Sequence, residues 1–215
     1  MRIIFIGAPG TGKGTQATLT ANEYNIPNVS AGDILRHTIL KNDTFSKKIK
    51  NIIDQGQLVD DEFISSLIKQ RLEQKDCHTG FLLDGFPRTL SQANFMKQWK
   101  IKIDYVIEFT ASLQTIIERI KGRRIHLKSG RIYHIKFKPP KIEGIDDFTG
   151  QQLDIRTDDT EDNIKKRILE YQKMTIPLIE YYKKEQITGN VNFLTINADN
   201  STLEINKKLK NALNT

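Results

Sequence analysis

The residues Gly7-Ala8-Pro9-Gly10-Thr11-Gly12-Lys13-Gly14-Thr15 are suited to holding a chain of phosphates. They follow a short apolar run and precede a helical pattern, which is the context of a P-loop. Glycines let several backbone N–H groups converge on phosphate oxygens, the helix that follows presents its positive end, and Lys13 adds a point charge. Gly14 stands where a P-loop generally carries the Ser or Thr that ligates magnesium, with Thr15 one place on. Magnesium is therefore expected to be held through water, with no direct protein ligand. A second segment, Gly80-Phe81-Leu82-Leu83-Asp84-Gly85-Phe86-Pro87-Arg88, reads as a buried strand that ends in a carboxylate and then turns out an arginine. In an open parallel sheet ligands gather at the carboxyl ends of strands, so Asp84 and Arg88 are expected beside Lys13. There Asp84 can orient a hydrated metal, and Arg88 can grip a phosphate with two parallel hydrogen bonds.

These groups need a frame. Apolar runs at 2–6, 80–83, 104–109 and 191–196, with a weaker one at 26–30, alternate with helical patterns. The alternation predicts an α/β fold, a parallel five-stranded sheet with helices on both faces in three layers. Two stretches interrupt it. Residues 30–59 read as two helices, 32–40 and 44–54, closed by Gly56, and form a helical insertion; a long helix follows at 60–74. From 122 to 159 turn signals at Ser129-Gly130, Pro139-Pro140 and Thr149-Gly150 surround short strand-like pieces such as 131–137, which predicts a separate, β-rich flap. The chain is thus divided into a core of 1–29, 60–121 and 160–215, the insertion 30–59 and the flap 122–159. An N-cap within 158–160 starts a long amphipathic helix reaching about Lys184, in which Pro177 is expected to produce a late kink or tightening, and 201–213 reads as a surface helix.

With 215 residues, of which 38% are apolar, the chain can bury a substantial core. Its net charge of +7 points to an anionic partner without choosing which. The one cysteine, Cys77, precludes an internal disulfide, fits a reducing compartment and reads as a small buried hydrophobe. No segment has the apolar length of a membrane span or a signal peptide, so a cytoplasmic protein is expected.

The P-loop, Ser30-Ala31-Gly32-Asp33-Ile34-Leu35-Arg36, Asp84-Gly85-Phe86-Pro87-Arg88-Thr89, Gly122-Arg123-Arg124, Ser129-Gly130-Arg131-Ile132-Tyr133-His134, Arg156-Thr157-Asp158-Asp159 and Arg167 together resemble the adenylate kinase family, in its long-lid bacterial form. The resemblance covers nearly the whole chain and implies reversible transfer of a phosphoryl group from magnesium ATP to AMP, giving two ADP. It implies that 30–59 binds AMP, with Arg36 on its phosphate, Ala31, Gln57, Leu58, Val59 and Gln92 around its base, and Gly85, Phe86, Pro87 and Arg88 beside it. It assigns Gly10 to Thr15, Arg119, Arg123, Ile132, Tyr133 and Asn200 to ATP, and brings Arg156 and Arg167 to the phosphates being exchanged. Lys13, Arg36, Asp84, Arg88, Arg123, Arg156 and Arg167 are then the catalytic set. Phosphoryl transfer suits such a set, because it asks for positioning and for cations that neutralise oxygens, and planar guanidinium groups orient phosphates as lysine cannot. Ala31 departs from the usual Thr, removing a polar contact near the AMP base, and Asn200 departs from a frequent Lys. The family likeness also implies a monomer.

In the flap, His126-x-x-Ser129 and Asp146-x-x-Thr149 have the paired spacing of a zinc knuckle, but Ser and Thr are poor zinc ligands. No structural zinc is expected. Some lids of the family carry four cysteines at such places, and this one looks like the version with a hydrogen-bond cluster of His126, Ser129, Asp146 and Thr149. Other readings remain. A kinase of UMP or CMP shares the P-loop and arginines. A nucleic-acid-binding protein is suggested by the basic balance and by the aromatic interleaving of Arg131, Tyr133, His134, Lys136, Phe137 and Lys138, a stretch that is more commonly a solvated hairpin face. That reading would leave the P-loop and Asp84 without a purpose. A P-loop scaffold that binds ATP without turnover is a third reading, but no catalytic part is missing from the chain.

Overall fold

The computed structural model describes residues 1–39 and 44–214. Along the chain run β1 (Arg2–Gly7), α1 (Lys13–Glu23), β2 (Asn28–Ser30), α2 (Ala31–Ile39), α3 (Thr44–Asp54), α4 (Asp61–Leu72), β3 (Phe81–Asp84), α5 (Leu90–Gln98), β4 (Tyr105–Thr110) and α6 (Leu113–Lys121). They are followed by β5 (Arg123–Ile125), β6 (Ile132–His134), α7 (Glu161–Glu170), α8 (Ile176–Ile187), β7 (Asn192–Asn197) and α9 (Thr202–Leu213). Leu40, the expected last residue of the first insertion helix, lies outside the described residues.

Five strands form one parallel sheet in the order β2-β3-β1-β4-β7. Strands buried on both faces lose the alternation of apolar and polar residues, and the uninterrupted Ile3-Ile4-Phe5-Ile6 run serves two cores at once. Ile3 and Phe5 face Ala17 of α1 and Ile205, Leu209 and Leu213 of α9. Ile4 and Ile6 face Ile64 and Ile68 of α4, Ala93 and Met96 of α5, and Leu178 and Tyr182 of α8. Cys77 is buried in this second core, as a small hydrophobe would be, although its sulfur also accepts a hydrogen bond from Arg71 at 3.0 Å. The expected surface helix α9 buries one stripe, Ile205, Leu209 and Leu213, and Ser201 starts it with a full capping box to Glu204.

The long helix after the flap behaves differently from the expected late kink or tightening. Thr160 caps α7, and the helix then widens through a π turn over Tyr171–Thr175 before α8. Pro177 has no N–H to offer the carbonyl four residues back, and Ile176 N–H instead bonds Tyr171 O, five residues back. The helix loosens upstream of the proline.

In the 122–159 segment β5 and β6 pair antiparallel, and bridges Ile125–Asp154 and Ile145–Gln152 tie in the remainder. Its centre is Asp146, which accepts two bonds from Arg131 at 2.8 and 2.7 Å, one from Tyr133 Oη at 3.0 Å and one from Thr149 Oγ1 at 2.7 Å. His126 spends both ring nitrogens locally, Nδ1 on Ser129 Oγ at 2.7 Å and Nε2 on Gln151 Oε1 at 2.9 Å. The four expected cluster members do meet, joined by Gln151, Arg131 and Tyr133, which the zinc-like spacing does not reveal. In the basic aromatic stretch Tyr133 and His134 are buried, whereas Lys136, Phe137 and Lys138 are exposed, so only its second half is the solvated face that its composition suggests.

Leu83 is fully buried in β3, so Leu83→Ala should lower the unfolding free energy by about 2–5 kcal/mol in urea titration. The Arg131 guanidinium, with Thr149 and Tyr133, holds the Asp146 carboxyl well below its ordinary 3.8. A depressed carboxylate stabilises the fold above its unfolded pKa and loses that contribution as pH falls below it. Amide protection in the flap, read by hydrogen exchange, should therefore persist at pH 6 and fall below about pH 4. It should already be weak at pH 6 in Asp146→Asn, and metal analysis of the purified protein should find no stoichiometric zinc.

Candidate active site

The site forms where β1 and β3 end side by side, in a register that sets Phe5 opposite Asp84. Gly10 and Gly12 take φ of 84° and 86°, which turns the loop back under its own N–H groups and leads into α1. A Cβ on Gly10 would lie 2.9 Å from both the carbonyl of Ile116 and the side chain of Ile120, so the loop lies directly on α6. Thr11 is buried and spends its hydroxyl on Ala8 O at 2.9 Å, while Thr15 is exposed. Lys13 Nζ donates to Ala8 O at 3.3 Å.

Gly14 has a spatial reason. A Cβ there would stand 3.1 Å from Asp84 Oδ2, so a Ser or Thr would crowd the carboxylate. Asp84 Oδ1 is buried without a hydrogen-bond partner. A buried carboxylate oxygen facing a phosphate cradle suits a hydrated divalent cation, and burial raises the Asp84 pKa against the pull of Lys13 and Arg88.

Around this centre the chain gathers its guanidinium groups. Arg88 Nε donates to Gly85 O at 2.8 Å, which curls the side chain over its own turn. Arg36 pairs with Asp33 within α2. Arg123 forks onto Asp159, with Nε to Oδ2 at 2.7 Å, and Arg167 Nη1 lies 2.9 Å from Asp158 Oδ2 and 3.3 Å from Asp159 Oδ1. Arg156 is largely enclosed and its Nε is buried without a partner. Burial, then repulsion from Arg123 and Arg36, lowers the Arg156 pKa to about 9. Lys13 is lowered to about 8, first by burial and then by Arg88, Arg167 and Arg123, against the attraction of Asp84. The seven residues assigned to catalysis thus share one electrostatic field.

The nucleotide-contact assignments divide more finely. Arg119 donates to Thr11 O at 3.0 Å and to Asn200 O at 3.1 Å, stapling the P-loop to the segment before α9 through a backbone carbonyl. Asn200 is therefore engaged independently of its side chain. Ile132 is partly exposed, whereas the phenol of Tyr133 is committed to Asp146 and Asp147 inside the flap. Phe86 is fully buried and stacks on Trp99 at 6.3 Å, so its ring is committed to the core. Ala31 and Val59 are buried, Leu58 is half-buried and Gln57 is exposed. Gln92 is buried with its amide already bonded on both sides.

Several participants carried no role in the motif reading. Asp33, Asp158 and Asp159 supply the counter-charges, and the run Arg156-Thr157-Asp158-Asp159 could have signalled this by setting acids beside arginines. The π turn places Thr175 so that its Oγ1 donates to Arg88 O at 3.0 Å, anchoring the turn that carries that arginine. The insertion touches both the flap and α7: Thr157 Oγ1 donates to Asp54 Oδ1 at 2.6 Å, and Asn163 Nδ2 of α7 to Asp54 O at 2.6 Å.

A family model described as adenylate kinase matches residues 5–187. Adenylate kinases from Buchnera aphidicola subsp. Acyrthosiphon pisum strains Tuc7, 5A and APS are each 53% identical to the chain over 213 residues, covering 99% of it and 99% of each relative. A match spanning P-loop, insertion, flap and the arginines they converge on leaves one placement, and the chain belongs to the adenylate kinase family.

Proposed function

We propose that the protein transfers the terminal phosphoryl group of magnesium ATP to AMP, reversibly, giving two ADP. The observation that carries this reading is the convergence of Lys13 with Arg36, Arg88, Arg123, Arg156 and Arg167 at the mouth of a phosphate-binding loop. The ATP phosphates rest on the N–H groups of Gly10 to Thr15 with Lys13 among them, and Arg119 and the Ile132–Tyr133 backbone flank the nucleoside. The AMP phosphate lies between Arg36 and Arg88. Arg123, Arg156 and Arg167 neutralise the oxygens of the group in flight, where preorganised charge lowers the barrier most. Asp84 would orient hydrated magnesium brought with ATP, and the ion would supply neutralisation of phosphate charge.

The insertion 30–59 and the flap 122–159 act as two covers on the core of 1–29, 60–121 and 160–215. Water competes with AMP for the phosphoryl group, so covers that meet through Thr157 and Asp54 exclude it and align donor with acceptor. No described helix is long and apolar enough to cross a membrane. We place the protein in the cytoplasm as a monomer, with ATP, AMP and ADP as its partners and no nucleic acid.

A coupled assay with magnesium ATP and AMP, run beside UMP and CMP, tests the reading. AMP should be the preferred acceptor, and Lys13→Ala and Arg88→Ala should each lose about 10²–10³-fold in kcat. Activity with UMP or CMP alone would reverse the assignment of the acceptor.

The lowered Lys13 pKa gives a second outcome. Between about 8 and its ordinary 10.5 the free protein holds fewer protons here than the unfolded chain, so stability gains from this group as pH rises through that window. Bound phosphates favour the charged form, so ATP binding takes up a proton above pH 8 and weakens as pH rises further. Calorimetric titration at pH 9 in two buffers of different ionisation heat should show this uptake, and Lys13→Ala should reduce it.

A further inference from the structure

Gln92 sits at the first turn of α5 with its amide held from two sides. Its Oε1 accepts from Arg88 N at 2.7 Å, and its Nε2 donates to Asp61 Oδ1 at 2.6 Å. The other Asp61 oxygen, Oδ2, accepts from Thr89 Oγ1 at 2.8 Å, and Thr89 caps α5 by accepting from Gln92 N at 3.1 Å. An amide oxygen and nitrogen have nearly the same shape, so their order is read from what they face. Here both faces are unambiguous. A backbone N–H only donates, and a carboxylate at neutral pH only accepts. Turned over, the amide would set N–H against N–H at Arg88 and oxygen against oxygen at Asp61. Gln92 itself is 3% exposed, so its amide has little water with which to offset either clash.

We propose that Asp61 is a specificity-determining residue, which fixes the direction of the Gln92 amide and so makes the acceptor site choose a 6-amino purine over a 6-oxo purine. This rests on the reading of the acceptor as AMP. After its internal bonds Gln92 keeps one N–H and one oxygen lone pair. In the locked order these match an adenine edge, whose amino group donates and whose N1 accepts. A hypoxanthine edge has the opposite order, with an oxygen that accepts and an N1–H that donates, and matches only the turned amide. Among the other residues assigned to the base, Ala31, Leu58 and Val59 offer no polar side-chain atom and Gln57 is exposed, so the choice falls on Gln92. Asp61 opens α4 one residue after the capping Asp60, where the helix terminus favours an anion and holds the carboxylate in place.

The test compares AMP with IMP as acceptor, at saturating magnesium ATP, in the wild-type protein, Asp61→Asn and Asp61→Glu. Asparagine can present N–H to a turned amide, which removes the clash at that face and leaves only the one at Arg88 N to oppose the turn. In Asp61→Asn the ratio of kcat/KM for AMP over IMP should fall about tenfold, mainly through a higher KM for AMP. Asp61→Glu, which keeps an acceptor, should retain most of the ratio. Thermal melts identify any variant that has merely lost its fold, an outcome that would not move this ratio selectively. In parallel, nitrogen-15 spectra of the Gln92 side-chain amide should show slow proton exchange in the wild type and faster exchange in Asp61→Asn. A ratio within twofold of wild type in Asp61→Asn, or equal protection of the amide in both, overturns the proposal. Failure of the wild type to phosphorylate AMP would overturn the proposed acceptor instead, and the amide spectra would still judge the lock.

Discussion

Mutual repulsion of like charges governs this structure. Like charges gathered in a cleft of low dielectric repel more strongly than in water, and this cleft gathers one lysine and five arginines. The fold answers with carboxylates. Asp33 holds Arg36, Asp159 holds Arg123, Asp158 and Asp159 share Arg167, and Asp84 faces Lys13 and Arg88. Six cations against four acids leave a positive surplus, directed at the space above the P-loop. That imbalance gives a polyanion its attraction to the cleft, and it is built into the protein before any nucleotide arrives.

The same ion pairs also shape the moving parts. Arg123 begins the flap and Asp159 ends it, so their fork closes the neck of the segment as well as neutralising a charge. Arg167 reaches from α7 to both acids at that neck, joining flap to core. Asp54 receives Thr157 at the foot of the flap and Asn163 at the start of α7, so α3 of the insertion is bonded to both. Electrostatic neutralisation and mechanical attachment therefore fall on the same residues. An anion that drew Arg123 or Arg167 from its acid would also alter the attachment of the flap, which couples occupancy of the site to its cover.

Much of this was legible in the chain. A glycine loop after a buried strand has one physical purpose, and Ile3-Ile4-Phe5-Ile6 announced a strand covered on both faces. The cations of the site were visible because arginine at strand ends and turns is chemically conspicuous. Their carboxylate partners were not, since Asp158 and Asp159 also read as helix-starting acids and Asp61 as an ordinary first-turn residue. Thr175 was hidden for a different reason. Pro177 could be seen to disturb the helix, but whether a helix tightens or widens around a proline depends on tertiary contacts, here the packing of α8 on α5 and β7. Gln151 and Tyr133 joined the flap cluster through folding of the loop, which spacing rules for metal ligands do not describe.

Holding charge in a buried cleft opposes stability, and the position of the site shows where the compensation lies. Lys13 and Arg156 both have their charged forms disfavoured in the folded protein, and Asp84 Oδ1 and Arg156 Nε are buried without hydrogen bonds. Each is a local loss on folding. Directly beneath them the sheet presents a separate apolar core on each face, with Ile3, Ile4, Phe5, Leu82, Leu83, Val106 and Ile107 fully buried. Such side chains contribute about 1.5–3 kcal/mol apiece, enough to carry several unsatisfied groups at the strand ends. The edge of a well-covered parallel sheet is therefore where an unbalanced cluster of charge can be kept. A bound polyphosphate would relieve the repulsion that the empty cleft bears, so the free energy stored there on folding is returned on binding.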